Sequence, residues 1–220
     1  MTSAKSIPIA VIAGTPIDTQ MGVNLLTDNG YERICAYSIS ENPAQQTTFQ
    51  TSKPDERYQT LLELLRQIKK LGTQKVLVYC NSLSGAVDFE TLACQVGITI
   101  VTPLQIYRDL AKNYQHLAVL SANAQGLAGI EQVLIQSNPS ITLVNHSSIR
   151  LVEAIEKGDT PEEIIKKFHL AELMKYVSQL KVEALLLGCT HFPYLLPQLE
   201  NLLEIPIINP AKKIIEKLEK

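Results

Sequence analysis

The 220-residue chain predicts an α/β fold of two pseudo-symmetric domains, each with a central, mostly parallel sheet, and a functional site in the cleft between them. Three observations lead there. Short apolar, β-branched runs alternate with longer stretches of helical period, the pattern of an open α/β sheet. Several of the short runs lack polar alternation, as expected of strands covered by helices on both faces. Two segments, Val76–Ser82 and Ala184–Thr190, share one grammar: a buried strand runs directly into a thiol and small polar groups. They stand about half the chain apart, as a repeated domain requires.

The expected strands are Ile7–Ala13, Arg33–Ser38, Lys75–Tyr79, Ile98–Val101, His116–Ser121, Ile141–Asn145, Val182–Leu187 and Ile205–Ile208. Between them, Ser52-Lys53-Pro54-Asp55 reads as the cap of a helix whose apolar stripe is Tyr58, Leu61, Leu65 and Ile68, ending near Gly72. Thr102-Pro103-Leu104-Gln105 and Thr160-Pro161-Glu162-Glu163 combine a capping hydroxyl, a first-turn proline and a reciprocal side chain three residues on. Asn42–Thr51 is polar and aperiodic and reads as a loop. The chain is expected to divide into a first domain of residues 1–99 plus 207–220, carrying Cys80, and a second of residues 100–206, carrying Cys189, with the last helix packing back on the first.

Twenty Lys and Arg stand against 22 Asp and Glu, a formal net charge of −2 at pH 7. That balance offers no field for a nucleic-acid backbone and no polybasic membrane patch, so the expected partner is a small molecule or a protein. Ile7–Ala13 is too short to span a bilayer and poorly flanked for a secretory segment, which points to the cytoplasm. The four cysteines, Cys35, Cys80, Cys94 and Cys189, show no CxxC spacing and read as free thiols. Asn145-His146-Ser147 fits a glycan acceptor only by chance on this view. Cys35 and Cys94 read as core residues, Cys94 lying among Leu92, Ala93 and Val96.

Cys80 and Cys189 carry the chemistry. A thiol at a strand end meets the free N–H groups of the helix that follows, which favour thiolate and bind a neighbouring carboxylate. Two such thiols on opposite sides of a carbon suit stereoinversion: one removes the α-hydrogen as thiolate and the other donates to the opposite face. Asn81, Ser82 and Thr190 supply donors for an α-carboxylate whose charge grows. His191 can orient Cys189 or exchange a proton with it. The loop Gly14–Gly22 reaches the same sheet edge, where Asp18 can bind an ammonium or steer Cys80; the competing role is capping the next helix, through Asp18 or Thr19. It lacks the glycine spacing of a dinucleotide site.

At these residues the chain resembles the cofactor-independent glutamate and aspartate racemase family over nearly its full length. The family's paired signatures stand here as Cys80-Asn81-Ser82 and Gly188-Cys189-Thr190-His191. The resemblance implies two pseudo-symmetric α/β domains, usually in homodimers, working without pyridoxal phosphate or metal. It makes Cys80 and Cys189 the bases, with Asn81, Ser82 and Thr190 on the substrate. Asp18 and Thr19 match the amino-terminal Asp-Ser pair, and His191 the histidine assisting the second thiol. Glu156 matches the auxiliary glutamate, with Glu153 as the competing alignment.

Departures from the family pattern bear on the substrate. Asp18-Thr19-Gln20-Met21-Gly22-Val23 is bulkier than the glycine-rich turn of glutamate racemases, their Pro-Tyr-Gly loop has no counterpart in Ser40–Gln50, and Ser121-Ala122-Asn123-Ala124 replaces a Gly-Thr turn. A more crowded site argues for aspartate, and the chain also resembles the aspartate racemases of cyanobacterial microcystin biosynthesis. Asn123 and Arg57 join the expected substrate contacts, with Arg150 and Lys53 as further candidates for the distal carboxylate. The alternatives are a glutamate racemase, maleate isomerase or hydantoin racemase, a related decarboxylase, a cysteine hydrolase pairing Cys80 with His191, a zinc site on Cys80, Cys189 and His191, and a degenerate amino-acid-binding protein.

Overall fold

A computed structural model describes residues 4–220; the first three residues, part of the expected first domain, lie outside the described residues. The first half runs β1 (Ile9–Ala13), α1 (Pro16–Asp28), β2 (Ile34–Ser38), α2 (Pro43–Thr51), α3 (Pro54–Lys70), β3 (Lys75–Val78), α4 (Asn81–Ala86), α5 (Phe89–Val96) and β4 (Thr99–Val101). The second runs α6 (Pro103–Leu110), β5 (His116–Ser121), α7 (Ala124–Ser137), β6 (Thr142–Ser147), α8 (Ile149–Glu156), α9 (Pro161–Lys167), α10 (Leu170–Gln179), β7 (Ala184–Gly188), α11 (Leu196–Glu200), β8 (Ile207–Ile208) and α12 (Ala211–Leu218).

Two four-stranded sheets result, ordered β2-β1-β3-β4 and β6-β5-β7-β8, with every pairing parallel. The orders are identical in kind, so β3 ahead of Cys80 corresponds to β7 ahead of Cys189. All eight expected strands are present, with ends shifted by a few residues; β6, for example, runs on to Ser147.

Three apolar clusters explain how continuous hydrophobic strands satisfy a period of two. Ile9, Val11 and Leu77 of the first sheet and Leu117, Val119 and Leu186 of the second enter one shared cluster. Their neighbours turn the other way: Ala10, Ile12, Val76 and Val78 into the outer core of the first domain, and Ala118, Leu120, Leu185 and Leu187 into that of the second. The shared cluster also takes Leu104, Ile106 and Tyr107 of α6 and Ile214, Ile215 and Leu218 of α12, so the two sheets are joined by core rather than by a linker.

Several expectations need correction. Asn42–Thr51 is not a loop: Asn42 accepts from Gln45 N and caps α2, with Pro43 opening the helix. The hydrophobic period is missing because the residues α2 buries are Gln46 and Gln50, four apart and polar. Since α2 runs to Thr51, Ser52 closes it by donating to Phe49 O at 2.8 Å, and Lys53, without a side-chain cap bond, precedes α3. Cys94 is exposed, because α5 buries Phe89, Leu92 and Val96 and Cys94 falls off that stripe. Cys35 is half-buried at the edge of the first domain's core. By sheet membership, β4 crosses the expected boundary at 99/100 and stays with the first domain. Its counterpart β8, expected in the first domain, pairs with β7 in the second. α12 packs on both α6 and β4.

The domains touch most closely where α4 crosses α7. A Cβ added at Gly129 would lie 2.7 Å from Gly85 Cα, and one at Gly85 would lie 3.1 Å from Gly129 Cα. Gly129→Ala gains helix propensity but must force backbone from backbone. Urea unfolding of this variant is expected to show a net loss of about 1–3 kcal/mol; an unchanged midpoint would mean that the crossing yields freely.

Candidate active site

The carboxyl ends of β1, β3, β5 and β7 converge on one buried cavity of about 20 Å³. Its walls include Asp18, Gln46, Cys80, Asn81 and Ser82 from the first domain and Asn123, Cys189, Thr190 and His191 from the second. The volume accommodates roughly one water molecule, so anything larger requires the walls to move apart.

Cys80 is 3% exposed and Cys189 6%. Burial pushes the Cys80 thiol well up, and the neighbouring Asp18 carboxylate adds to this, while the Ser82 hydroxyl and the Leu83 N–H pull the other way. Gln46 Nε2 donates to its sulfur at 3.0 Å, and Ser82 Oγ lies 3.5 Å from it, where either group can donate. Around Cys189 the partner is an imidazole, with His191 Nδ1 at 3.7 Å.

Asp18 sits at the start of α1, where Thr15 caps the helix by accepting from Asp18 N. Its carboxylate accepts from Gly14 N at 3.2 Å and from Thr190 Oγ1 at 2.5 Å, and lies 3.7 Å from His191 Nδ1. Burial raises the Asp18 carboxyl above its ordinary value, opposed by His191 and the bonds from Thr190, Gly14 and Cys80. His191 Nε2 meets Glu156 Oε1 at 3.0 Å, and the same oxygen accepts from Thr15 Oγ1 at 2.5 Å. Burial works against a charged His191, yet Asp18, Cys189 and Glu156 together hold it well above the usual imidazole range. Glu156 is held low: burial opposes its charge, and bonds from His191 and Thr15 prevail.

Asn81 is the other feature of note. Neither Nδ2 nor Oδ1 has a close hydrogen-bond partner among the described residues; the side chain lines the cavity, and its polar neighbour is the Tyr107 hydroxyl, whose ionised form it favours.

Of the residues expected from sequence, Asp18, Cys80, Asn81, Ser82, Asn123, Cys189, Thr190 and His191 line the cavity, and Glu156 stands directly behind His191. Glu153 is exposed on α8, so Glu156 is the glutamate that reaches the histidine. Thr19 is turned away, donating to Thr15 O and sharing a bond with Ser38. Arg57 is absent from the walls because its guanidinium is engaged by the carbonyls of Ala86 and Ser52. Arg150 is exposed and lies over the Phe168 ring, and Lys53 is exposed beside Glu56. No Lys or Arg lines the cavity among the described residues.

Sequence reasoning missed Gln46 and Gln50. Gln46 Nε2 also lies 3.3 Å from Ser82 Oγ; Gln50 Nε2 donates to Ser82 Oγ at 2.7 Å and Gln50 Oε1 accepts from Asn123 Nδ2 at 3.1 Å. The available signal was the Asn42-Pro43 helix start followed by glutamines four apart.

The chain matches the Asp/Glu/Hydantoin racemase family over residues 23–218. It is similar to a glutamate racemase of Limosilactobacillus reuteri, 24% identical over 172 residues that make up 76% of this chain and 64% of that protein. It therefore spans less than two thirds of that relative's length. Among solved structures, the fold is like that of a Francisella tularensis glutamate racemase in complex with D-glutamate, with TM-score 0.76, 18% identity, and 97% of this chain and 80% of that one covered. It is also like an aspartate racemase homologue from Pyrococcus horikoshii, with TM-score 0.66, 16% identity, and 97% and 99% covered.

The charge relations predict a pH signature. His191, raised in the fold, stabilises the protein fully below about pH 6.5 and loses that contribution as pH rises through its folded value. Glu156, lowered in the fold, contributes above about pH 4.5 and is lost as pH falls through its folded value. Glu156→Gln keeps an acceptor for Nε2 but removes the charge. The NMR titration of the His191 ring is expected to move down in pH, with the stability deficit greatest where both groups are charged in the parent. A His191 midpoint unmoved by this change would remove Glu156 from the account.

Proposed function

This chain belongs to the Asp/Glu/Hydantoin racemase family, and from that premise we propose that it racemises an acidic α-amino acid by thiol/thiolate proton transfer, without a cofactor. One observation carries the reading: two buried strand-end sulfurs, one from each domain, line a single cavity. One sulfur, as thiolate, takes the α-hydrogen, leaving the electron pair on the α-carbon. The other, as thiol, gives a hydrogen to the opposite face. A single base tends to return the hydrogen to the face it came from.

Asn81, which lines the cavity, is assigned to the substrate, and Ser82, Asn123 and Thr190 to its carboxylates. Asp18 and His191 form the charged floor, and Glu156 orients the imidazole. His191 approaches Cys189 rather than serving Cys80, which weighs against a hydrolase built on Cys80 and His191.

Glutamate is the first substrate to test, because the curated relatives carry that name. Aspartate, the expectation from sequence, is kept as a second reading on one observation: α2 brings Gln46 to the wall of a small cavity, with Gln50 donating to Ser82 beside it. The relatives reported above add nothing to the resemblance to microcystin-associated enzymes. A homodimer in the cytoplasm accompanies the proposal, and light scattering on the purified chain tests the dimer.

Incubating L-glutamate and L-aspartate separately in deuterated water decides both activity and substrate. Deuterium at Cα of one acid, with its D enantiomer accumulating, is the expected result; no exchange into either acid overturns the reading. Cys80→Ser and Cys189→Ser are each expected to cut inversion by at least about a hundredfold, the scale of one acid–base group, as followed by circular dichroism of the substrate. Undiminished inversion in either variant would exclude a two-sulfur mechanism.

A further inference from the structure

Building on the reading of Cys80 as a proton-transfer group, we propose that Gln46 is a positioning residue for that sulfur, its side-chain amide donating to Cys80 Sγ and holding it ready to accept the substrate's α-hydrogen. The Gln46 side chain is buried, 8% exposed, with Nε2 3.0 Å from the sulfur. Two neighbours bear on its position. A Cβ at residue 14 would come within 1.9 Å of Gln46 Nε2, so Gly14 leaves room for the amide where it stands. On the other side Ser82, which Gln46 also reaches, is held by Gln50, itself tied to Asn123 of the second domain.

The donor matters because the remaining neighbours disfavour charge. The ionisable groups facing Cys80 are Asp18 from α1 and Cys189 from beyond β7, both of which oppose a second anion, and burial works in the same direction. The lining residues from α2 and α4 are uncharged: Gln46, Asn81 and Ser82. An amide N–H aimed at sulfur strengthens when the sulfur becomes anionic. When Cys80 acts as base, the Cα–H bond breaks, an S–H bond forms and the electron pair stays on carbon. Cys189 then breaks its own S–H bond to supply the opposite face. The two sulfurs thus differ in partner: an amide at Cys80, an imidazole at Cys189.

Turnover alone cannot expose this role. Enantiomers are equal in free energy, so kcat/KM falls equally in both directions whichever sulfur is impaired. The test therefore reads Cys80 directly. In the full chain carrying Cys189→Ser, iodoacetamide alkylation of Cys80 is followed by peptide mass across a series of alkaline pH values. Gln46→Met keeps the length and removes the donor. It is expected to raise the apparent pKa by about one unit and slow alkylation at fixed pH about three- to fourfold, the more basic thiolate being partly compensated by greater nucleophilicity. Gln46→Glu, which keeps the size and adds a carboxylate, is expected to move the profile further in the same direction. Gln50→Met, which loses the amide on Ser82 but no bond to sulfur, is expected to leave it near the parent. A Gln46→Met or Gln46→Glu profile coincident with the parent overturns the proposal, as does an equal displacement by Gln50→Met. Thermal melts by circular dichroism establish that each variant is folded. Alkylation needs no substrate, so this proposal and the racemase reading fail separately.

Discussion

The closed cleft rests on the burial of Asp18 beside His191. Burial works against charge on both the Asp18 carboxyl, 1% exposed, and the His191 imidazole, 3% exposed, and is opposed at each by the other together with Thr190 on the acid and Glu156 and Cys189 on the imidazole. Removing one partner of such a pair leaves an uncompensated charge, a loss of roughly 3–5 kcal/mol. The pair also bridges the halves of the molecule: Asp18 comes from α1 of the first domain, while His191, Thr190 and Glu156 come from the second. Thr15–Glu156 and Gln50–Asn123 cross the same seam. The contacts that join the two domains at this seam and those that assemble the site are therefore the same.

Within that closed state, a symmetric scaffold supports an asymmetric pair of thiols. The sheets share one strand order, and each delivers a cysteine just past the carboxyl end of its third strand in sequence. The surroundings then diverge. The first-domain sulfur has amide and hydroxyl donors and faces an acid; the second-domain sulfur has an imidazole backed by a glutamate. Duplication of a fold accounts for the convergence of two sulfurs on one cavity. The difference in their neighbours follows from what each domain places in its connections, a polar helix after β2 and the apolar start of α8 after β6.

The sequence was most legible where burial is continuous. Strand runs such as Ile9–Ala13 and Ala184–Gly188 have no competing reading, and their matched endings located Cys80 and Cys189 together with Asn81, Ser82, Thr190 and His191. Legibility failed where the buried face is polar. The helix carrying Gln46 and Gln50 was hidden because glutamine at positions four apart gives no apolar period, even though Asn42-Pro43 is a sound helix start. Arg57 misled for the opposite reason: charge suggested a ligand for a carboxylate, whereas the fold spends its guanidinium on the carbonyls of Ser52 and Ala86. Cys94 shows how narrow a short helix stripe is, since a thiol amid Leu92, Ala93 and Val96 still points outward. The choice between Glu153 and Glu156 needed three dimensions, because both sit on one helix and only its rotation selects the face toward His191.

The crossing of α4 over α7 at Gly85 and Gly129 bears on how closely the two domains approach. No side chain stands between the helices at that point, so the backbones themselves set the spacing. A larger residue at either position would hold the seam wider than the reach of the contacts Thr15–Glu156 and Gln50–Asn123 that span it.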